Sequence, residues 1–510
     1  MDHHEHPEFN RCPLHQEPCG GDSGGDSGGD IARRDFLKQA SILSLGVPAA
    51  MGALQQTLAA AAPAANAQKQ PAVVKVGYLR HAHAVGGGWP GHGFNNDVAC
   101  KQYSEKLEAM GRELGVEIDL ADSHLIDNAG VERFINACEA QKPDALVICP
   151  IGLGKWGDAQ RIIDTTGLPT LIFSQIGTAF TWHTTPLAFK PGIYLVSSLD
   201  IADLRPGLEM VKTQKTLKQS TLVILKGGAE QEKVYGNVGT RLKYVSQQAY
   251  VDTYQKVEVN DEVRRLADEA AKQAKEIREI TPDDILQAAR HYFAAKQLLA
   301  EHSADGITSN CLGLCGRVGT PCLGFAWLMD EGIPAGCEAD VGSAMTMLLS
   351  HNLLGRPGFM ADPLVDTTQN LFANAHCNCP TRLNGFDGPR EPYILRNHHA
   401  GGHWVSLQVL WRLGQVFTLS RFQKPDLLIV DRAKVVCNYE SPPSAACITN
   451  VGSIVEGAEN NPHKVGGFHV LQIYGDHVKK LRAYAQLYGI DGVHAWDPRV
   501  SFLFQPDYGG

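Results

Sequence analysis

The chain has little positive charge. Its 46 lysines and arginines are outnumbered by 55 acidic residues, for a formal net charge of −9. No basic stripe runs along it, which argues against a nucleic-acid partner. After residue 67 it also lacks any apolar run long enough to span a bilayer. Its 13 cysteines lack regular spacing. An odd number leaves at least one thiol unpaired, and Cys311, Cys315 and Cys322 fit no standard zinc motif. They read as small buried hydrophobes. What remains is an ordinary globular composition, 44% hydrophobic and 20% charged. At 510 residues, two or three domains are expected.

Residues 1–67 read as a leader rather than as fold. Gly20–Asp30 repeats Gly-Gly-Asp-Ser and is expected to be disordered. Arg33-Arg34-Asp35-Phe36-Leu37-Lys38 precedes an alanine-rich apolar stretch and then Ala65-Asn66-Ala67. This is the pattern of a cleaved twin-arginine export signal. It predicts a periplasmic protein that engages the twin-arginine translocase during export. The other reading, a membrane anchor, is weakened by Gly46, Pro48, Gln55 and Gln56 inside the run.

From Val73 onward the pattern is α/β. Val73–Leu79, Val116–Leu120, Ala145–Cys149 and Leu168–Phe173 read as strands. Between the first two, Cys100, Tyr103, Leu107, Met110 and Leu114 mark one helical face. Such alternation predicts a parallel, doubly wound sheet over 72–200. A second α/β unit, 201–357, begins with the strand at Ser220–Leu225. Helices are predicted over Asp261–Ile280 and over Pro282–Ser303, the latter capped by Thr281. The strand Ile333–Cys337 and a helix ended by Gly355-Arg356-Pro357 close the unit. The last part, 358–510, reads as a β-rich barrel or sandwich. Its strands are Trp404–Trp411 (alternating), Gln415–Phe422, Leu427–Val436 and Phe468–Tyr474, with one helix at Val478–Leu487.

The chemistry concentrates at two acids. Glu338 follows one apolar strand and Asp362 follows the next, with a helix between them. As a β-α-β unit this predicts neighbouring parallel strands, about 4.8 Å apart, with both carboxylates at one sheet edge. They could share a divalent cation, or they could be ordinary loop acids, with Asp340 as a helix cap. Histidines lie in the segments His376-Cys377-Asn378-Cys379, His398-His399 with His403, and His469. Two carboxylates and an imidazole form an oxygen-rich set, which suits Mn2+, Mg2+ or Co2+ better than a thiolate zinc site does. The glycine-rich loop 86–93 could cradle an anion or a sugar, or be a plain turn.

Glu338-Ala339-Asp340, the Leu-Leu-Gly-Arg-Pro turn at 353–357, Asp362, His376-Cys377, Gln415–Leu419 and His469-Val470-Leu471 follow one another in an order that resembles the L-fucose isomerase family and its L-arabinose isomerase relatives. The resemblance implies two Rossmann-like domains and a C-terminal β-rich domain. It implies one Mn2+ held by Glu338, Asp362 and His469, and assembly into homo-oligomers, trimers or hexamers. It implies aldose–ketose isomerisation of a free sugar through an enediol, with Glu338 and Asp362 as the catalytic acid–base pair and His376 and His399 as sugar contacts. The leader, the 86–93 loop and Cys311/Cys315/Cys322 are foreign to that pattern. Two other functions stay open: a non-catalytic carbohydrate-binding protein of the same fold, and a different metalloenzyme using the His/Cys segment 376–403.

Overall fold

The computed structural model describes residues 69–84, 90–228, 230–399, 404–440 and 447–500. The expected leader, His403 and the start of the glycine-rich loop lie outside the described residues. The first strands are β1 (Ala72–Arg80), β2 (Val116–Leu120), β3 (Ala145–Ile151), β4 (Thr170–Gln175) and β5 (Ile193–Ser198). They form an all-parallel sheet in the order β2-β1-β3-β4-β5. β1 and β3 are β-branched, aliphatic runs buried almost throughout, as strands covered on both faces must be. The predicted helix is there as Asn96–Leu114. The Asn95 side chain caps its first amides, and Gly115 ends it in the left-handed region at φ 68°.

The second sheet contains β6 (Thr221–Leu225), β7 (Gln231–Val234) and β8 (Arg241–Val245), and is parallel except for its edge strand β7, which runs antiparallel to β8. The chain then departs from the sequence reading. The helix beginning at Asp261 stops at Gln273 rather than Ile280, and β9 (Glu276–Ile277) follows. Ala274 is already extended, and the charged run after the helix hides its end from a periodicity argument. The helix Pro282–Glu301 starts where predicted, with Thr281 and Asp284 forming a capping box. With β10 (Gly306–Ser309) and β11 (Ala335–Cys337) the sheet order is β11-β10-β6-β8-β7.

The remaining strands are β12 (Phe359–Asp366), β13 (Leu371–His376), β14 (Tyr393–Asn397), β15 (Val405–Val409), β16 (Val416–Lys424), β17 (Leu427–Asn438), β18 (Thr449–Val455), β19 (Val470–Tyr474) and β20 (Asp491–Val493). The ladder β16-β19-β12-β13-β18-β17 closes on itself through β16–β17, making a six-stranded barrel. β15 is buried at every position, so the expected alternation of a one-sided strand fails. It pairs with β14, which β9 joins in parallel.

One expectation is overturned here. β11 belongs to the second sheet, parallel to β10, whereas β12 lies in the barrel, antiparallel to β13 and β19. Glu338 and Asp362 therefore do not end neighbouring parallel strands. The connecting helix, Val341–Leu354, is apolar on nearly every side and packs against β16 and the helix Arg205–Gln219. Its burial fixes β11 against the barrel. One apolar cluster runs from Val223 and Leu225 through Phe359 and Leu419 to Ile473, so the second sheet and the barrel share a core.

Candidate metal centre

Just past β11, Glu338 and Ala339 both sit at positive φ, 57° and 53°. This is unusual for residues with a Cβ, and each such residue costs about 1–3 kcal/mol. The turn is held by Asp340. Its backbone amide donates to the Cys337 carbonyl at 3.2 Å, and its carboxylate caps the following helix by accepting from the Ser343 amide at 3.2 Å. Asp340 also receives the buried guanidinium of Arg421 at 2.6 and 3.1 Å. Arg421 Nη1 further donates to the His469 carbonyl at 2.7 Å.

The barrel supplies the other residues. β12 and β19 pair Phe359 with Gln472, Met360 with Leu471 and Ala361 with Val470. Continuing that register by one residue sets Asp362 opposite His469. His469 is fully buried, and its Nδ1 lies 2.9 Å from Asp340 Oδ2. Asp340 thus accepts a hydrogen bond from Nδ1–H and leaves Nε2 facing the acids. Nε2 lies 3.2 Å from Asp362 Oδ1 and 3.6 Å from Glu338 Oε2, yet is aligned for a hydrogen bond with neither. A buried imidazole nitrogen aimed between two carboxylates is the arrangement a shared cation satisfies. The donor atoms of Glu338, Asp362, His376 and His469 all lie within 4.8 Å of one another. The Glu338 and Asp362 side chains stay 20% and 31% exposed, so the centre is open on one side. The oxygen-rich donor set fits a hard divalent cation.

His376 plays a different part from His469. Its Nδ1 accepts the Cys377 amide at 2.8 Å, which puts the ring proton on Nε2. That Nε2 is buried and has no hydrogen-bond partner among the described residues. It is a hydrogen-bond donor awaiting an oxygen, rather than a lone pair awaiting a metal.

The electrostatics divide the two acids. Burial pushes Glu338 above the usual carboxylate value, against the pull of His469. Burial would also raise Asp362, but its contact with His469 outweighs this and holds it below its usual value. Burial disfavours a charged His469, yet Asp340 and Asp362 together push it up to about 9. Asp340 itself is driven far below the carboxylate range despite its burial, chiefly by Arg421.

His399 is not among the four. It lies in a second group with Cys377 and His398, its Nδ1 3.2 Å from Cys377 Sγ. Cys447 packs against Cys377, and the influence of Cys377 and then His399 holds its thiol well below the ordinary value despite burial. Cys311 and Cys322 are buried and Cys315 is partly so. Sequence reasoning missed the role of Asp340, which it read only as a cap. It also missed Arg421, although a lone arginine inside the apolar run Val416–Phe422 was a visible signal. Nothing in the sequence pointed to Cys447.

No family model matches the chain, and no curated protein matches it. Among solved structures, one similar chain is a sugar ABC transporter from Yersinia enterocolitica subsp. enterocolitica 8081, 14% identical, covering 54% of this chain and 68% of its own, with a TM-score of 0.18.

Proposed function

We propose that the protein is a metal-dependent aldose–ketose isomerase acting on a free monosaccharide. The observation that carries this reading is His469 Nε2 aimed between Glu338 and Asp362, with the buried N–H of His376 beside them. The resemblance drawn from the sequence supplies the substrate class. Glu338, Asp362 and His469 would hold the cation, Mn2+ or in its place Mg2+ or Co2+. When bound, it supplies Lewis-acid polarisation of neighbouring sugar oxygens.

The chain's own residues handle the protons. Asp362, the more acidic carboxyl, takes the proton from the carbon beside the carbonyl and returns it to the former carbonyl carbon. Glu338, whose burial favours its protonated form, passes a proton between the two adjacent oxygens. Carboxyl groups with values pushed apart suit such a division. His376 donates its Nε2 proton to a sugar oxygen and orients the substrate. Asp340 and Arg421 keep His469 in its ligating tautomer.

The same reading makes the first two sheets with their helices Rossmann-like domains, 72–200 and 201–357, followed by the β-rich domain 358–510. It has the protein exported through the twin-arginine translocase to the periplasm and working there as a homo-oligomer. Among the described residues, no helix is long and apolar enough to cross a membrane. The test is a panel of aldoses and ketoses incubated with the Mn2+-loaded protein in D2O. Conversion with deuterium entering at the carbon beside the carbonyl, lost in Glu338→Gln, is expected. Tight sugar binding without any conversion would favour a carbohydrate-binding protein instead.

A further inference from the structure

A second group of donors sits beside the first and is used by none of the chemistry above. Cys377 directly follows His376, and Cys377 is 1% and His398 5% exposed. The donor atoms of Cys377, His398 and His399 all lie within 4.8 Å of one another. Cys447, two residues before β18, packs against Cys377. Cys322 and Ile448 form an apolar wall against Cys377, with Cys447 packed on it.

We propose that Cys377, Cys447, His398 and His399 form a separate binding site for a thiophilic d10 cation, Zn2+ or Cu+. Two sulfurs and two imidazoles are soft donors, which select such ions over Mn2+ or Mg2+. The geometry is close to that of a loaded site. In a tetrahedral zinc centre, with bonds of about 2.3 Å to sulfur and 2.0–2.1 Å to nitrogen, neighbouring ligand atoms stand roughly 3.3–3.8 Å apart. The Cys377 Sγ to His399 Nδ1 distance is 3.2 Å, and the donor atoms of Cys377, His398 and His399 span no more than 4.8 Å, with Cys447 packed beside Cys377. Two thiolates and Zn2+ are neutral together, which suits a buried pocket and favours Zn2+ over Cu+ there. The contrast with the first centre is one of donor chemistry: carboxylate oxygen and one imidazole there, sulfur and imidazole here. Because the two groups meet at His376-Cys377, a cation at the soft site would fix the backbone amide that sets the His376 tautomer.

This site does not depend on the isomerase reading. The test is titration of the reduced, metal-stripped protein with Co2+, following the thiolate-to-cobalt charge-transfer band in the near ultraviolet. Oxygen and imidazole ligands cannot produce that band, so the two centres are told apart. The band should appear, bleach when Zn2+ is added, persist in Glu338→Gln, and vanish in Cys447→Ser. His399→Gln serves as a second variant that leaves both thiols in place, and should shift and weaken the band. Absence of the band in the reduced protein, or a band unchanged in both Cys447→Ser and His399→Gln, would overturn the proposal.

Discussion

Asp340 holds His469 by its Nδ1, with 2.9 Å between carboxylate oxygen and ring nitrogen. The pair is fully buried and shares the guanidinium of Arg421. Asp340 has no place among the candidate ligands, yet it decides which ring nitrogen faces them. Asp340→Asn is therefore expected to weaken cation binding by about 10–100-fold, the usual effect of losing a ligand's orienting partner. It also leaves Arg421 buried without its counter-charge, at about 3–5 kcal/mol of stability. Calorimetric metal titration and denaturant unfolding read the two effects separately.

The His469 proton gives a pH signature. In the metal-free protein His469 lies at about 9, above its ordinary 6.5. The stability it contributes is complete below about pH 6.5 and is lost as pH rises through 9. A cation at Nε2 must displace that proton. Near neutral pH, binding should release one proton per cation from His469, and affinity should climb with pH until about 9. Titrations in buffers of different ionisation enthalpy check this, and no proton release would contradict it.

Ala339→Gly relieves one of the two left-handed residues in the Glu338 turn. Glycine enters that region without a Cβ penalty, although it costs entropy in the unfolded chain. A net gain of about 1 kcal/mol in unfolding free energy is expected, because strain of about 1–3 kcal/mol is removed. Equilibrium unfolding in urea measures it.

His376→Ala should keep the cation and lose turnover. The missing N–H to a sugar oxygen corresponds to about 1–3 kcal/mol, or roughly 5–150-fold in kcat/KM. Metal analysis beside the kinetics decides the role, since loss of the cation would make His376 a ligand instead.

Much of this could be read from the sequence, and the reason differs by element. The helices at Asn96–Leu114 and Pro282–Glu301 announce themselves through apolar spacing and caps. Glu338, Asp362 and His469 stood out as chemistry-bearing residues at the ends of short apolar runs. The route by which they meet was not legible. β11 is three residues long, and nothing local says that β12 turns away from it to pair with β19. β13, β14 and β18 went unread because burial on both faces or mixed polar content removes the alternation of period two. The Asp340–Arg421 pair and the approach of Cys447 to Cys377 are long-range contacts that no spacing rule records.

The measurement that tests the central claim most directly is metal content by mass spectrometry of the protein loaded with Mn2+, beside Glu338→Gln and His469→Ala. The account predicts one Mn2+ per chain in the native sequence and none retained by either variant through desalting, with all three proteins folded. Mn2+ held equally well by both variants, or no Mn2+ taken up by the native chain, would contradict it.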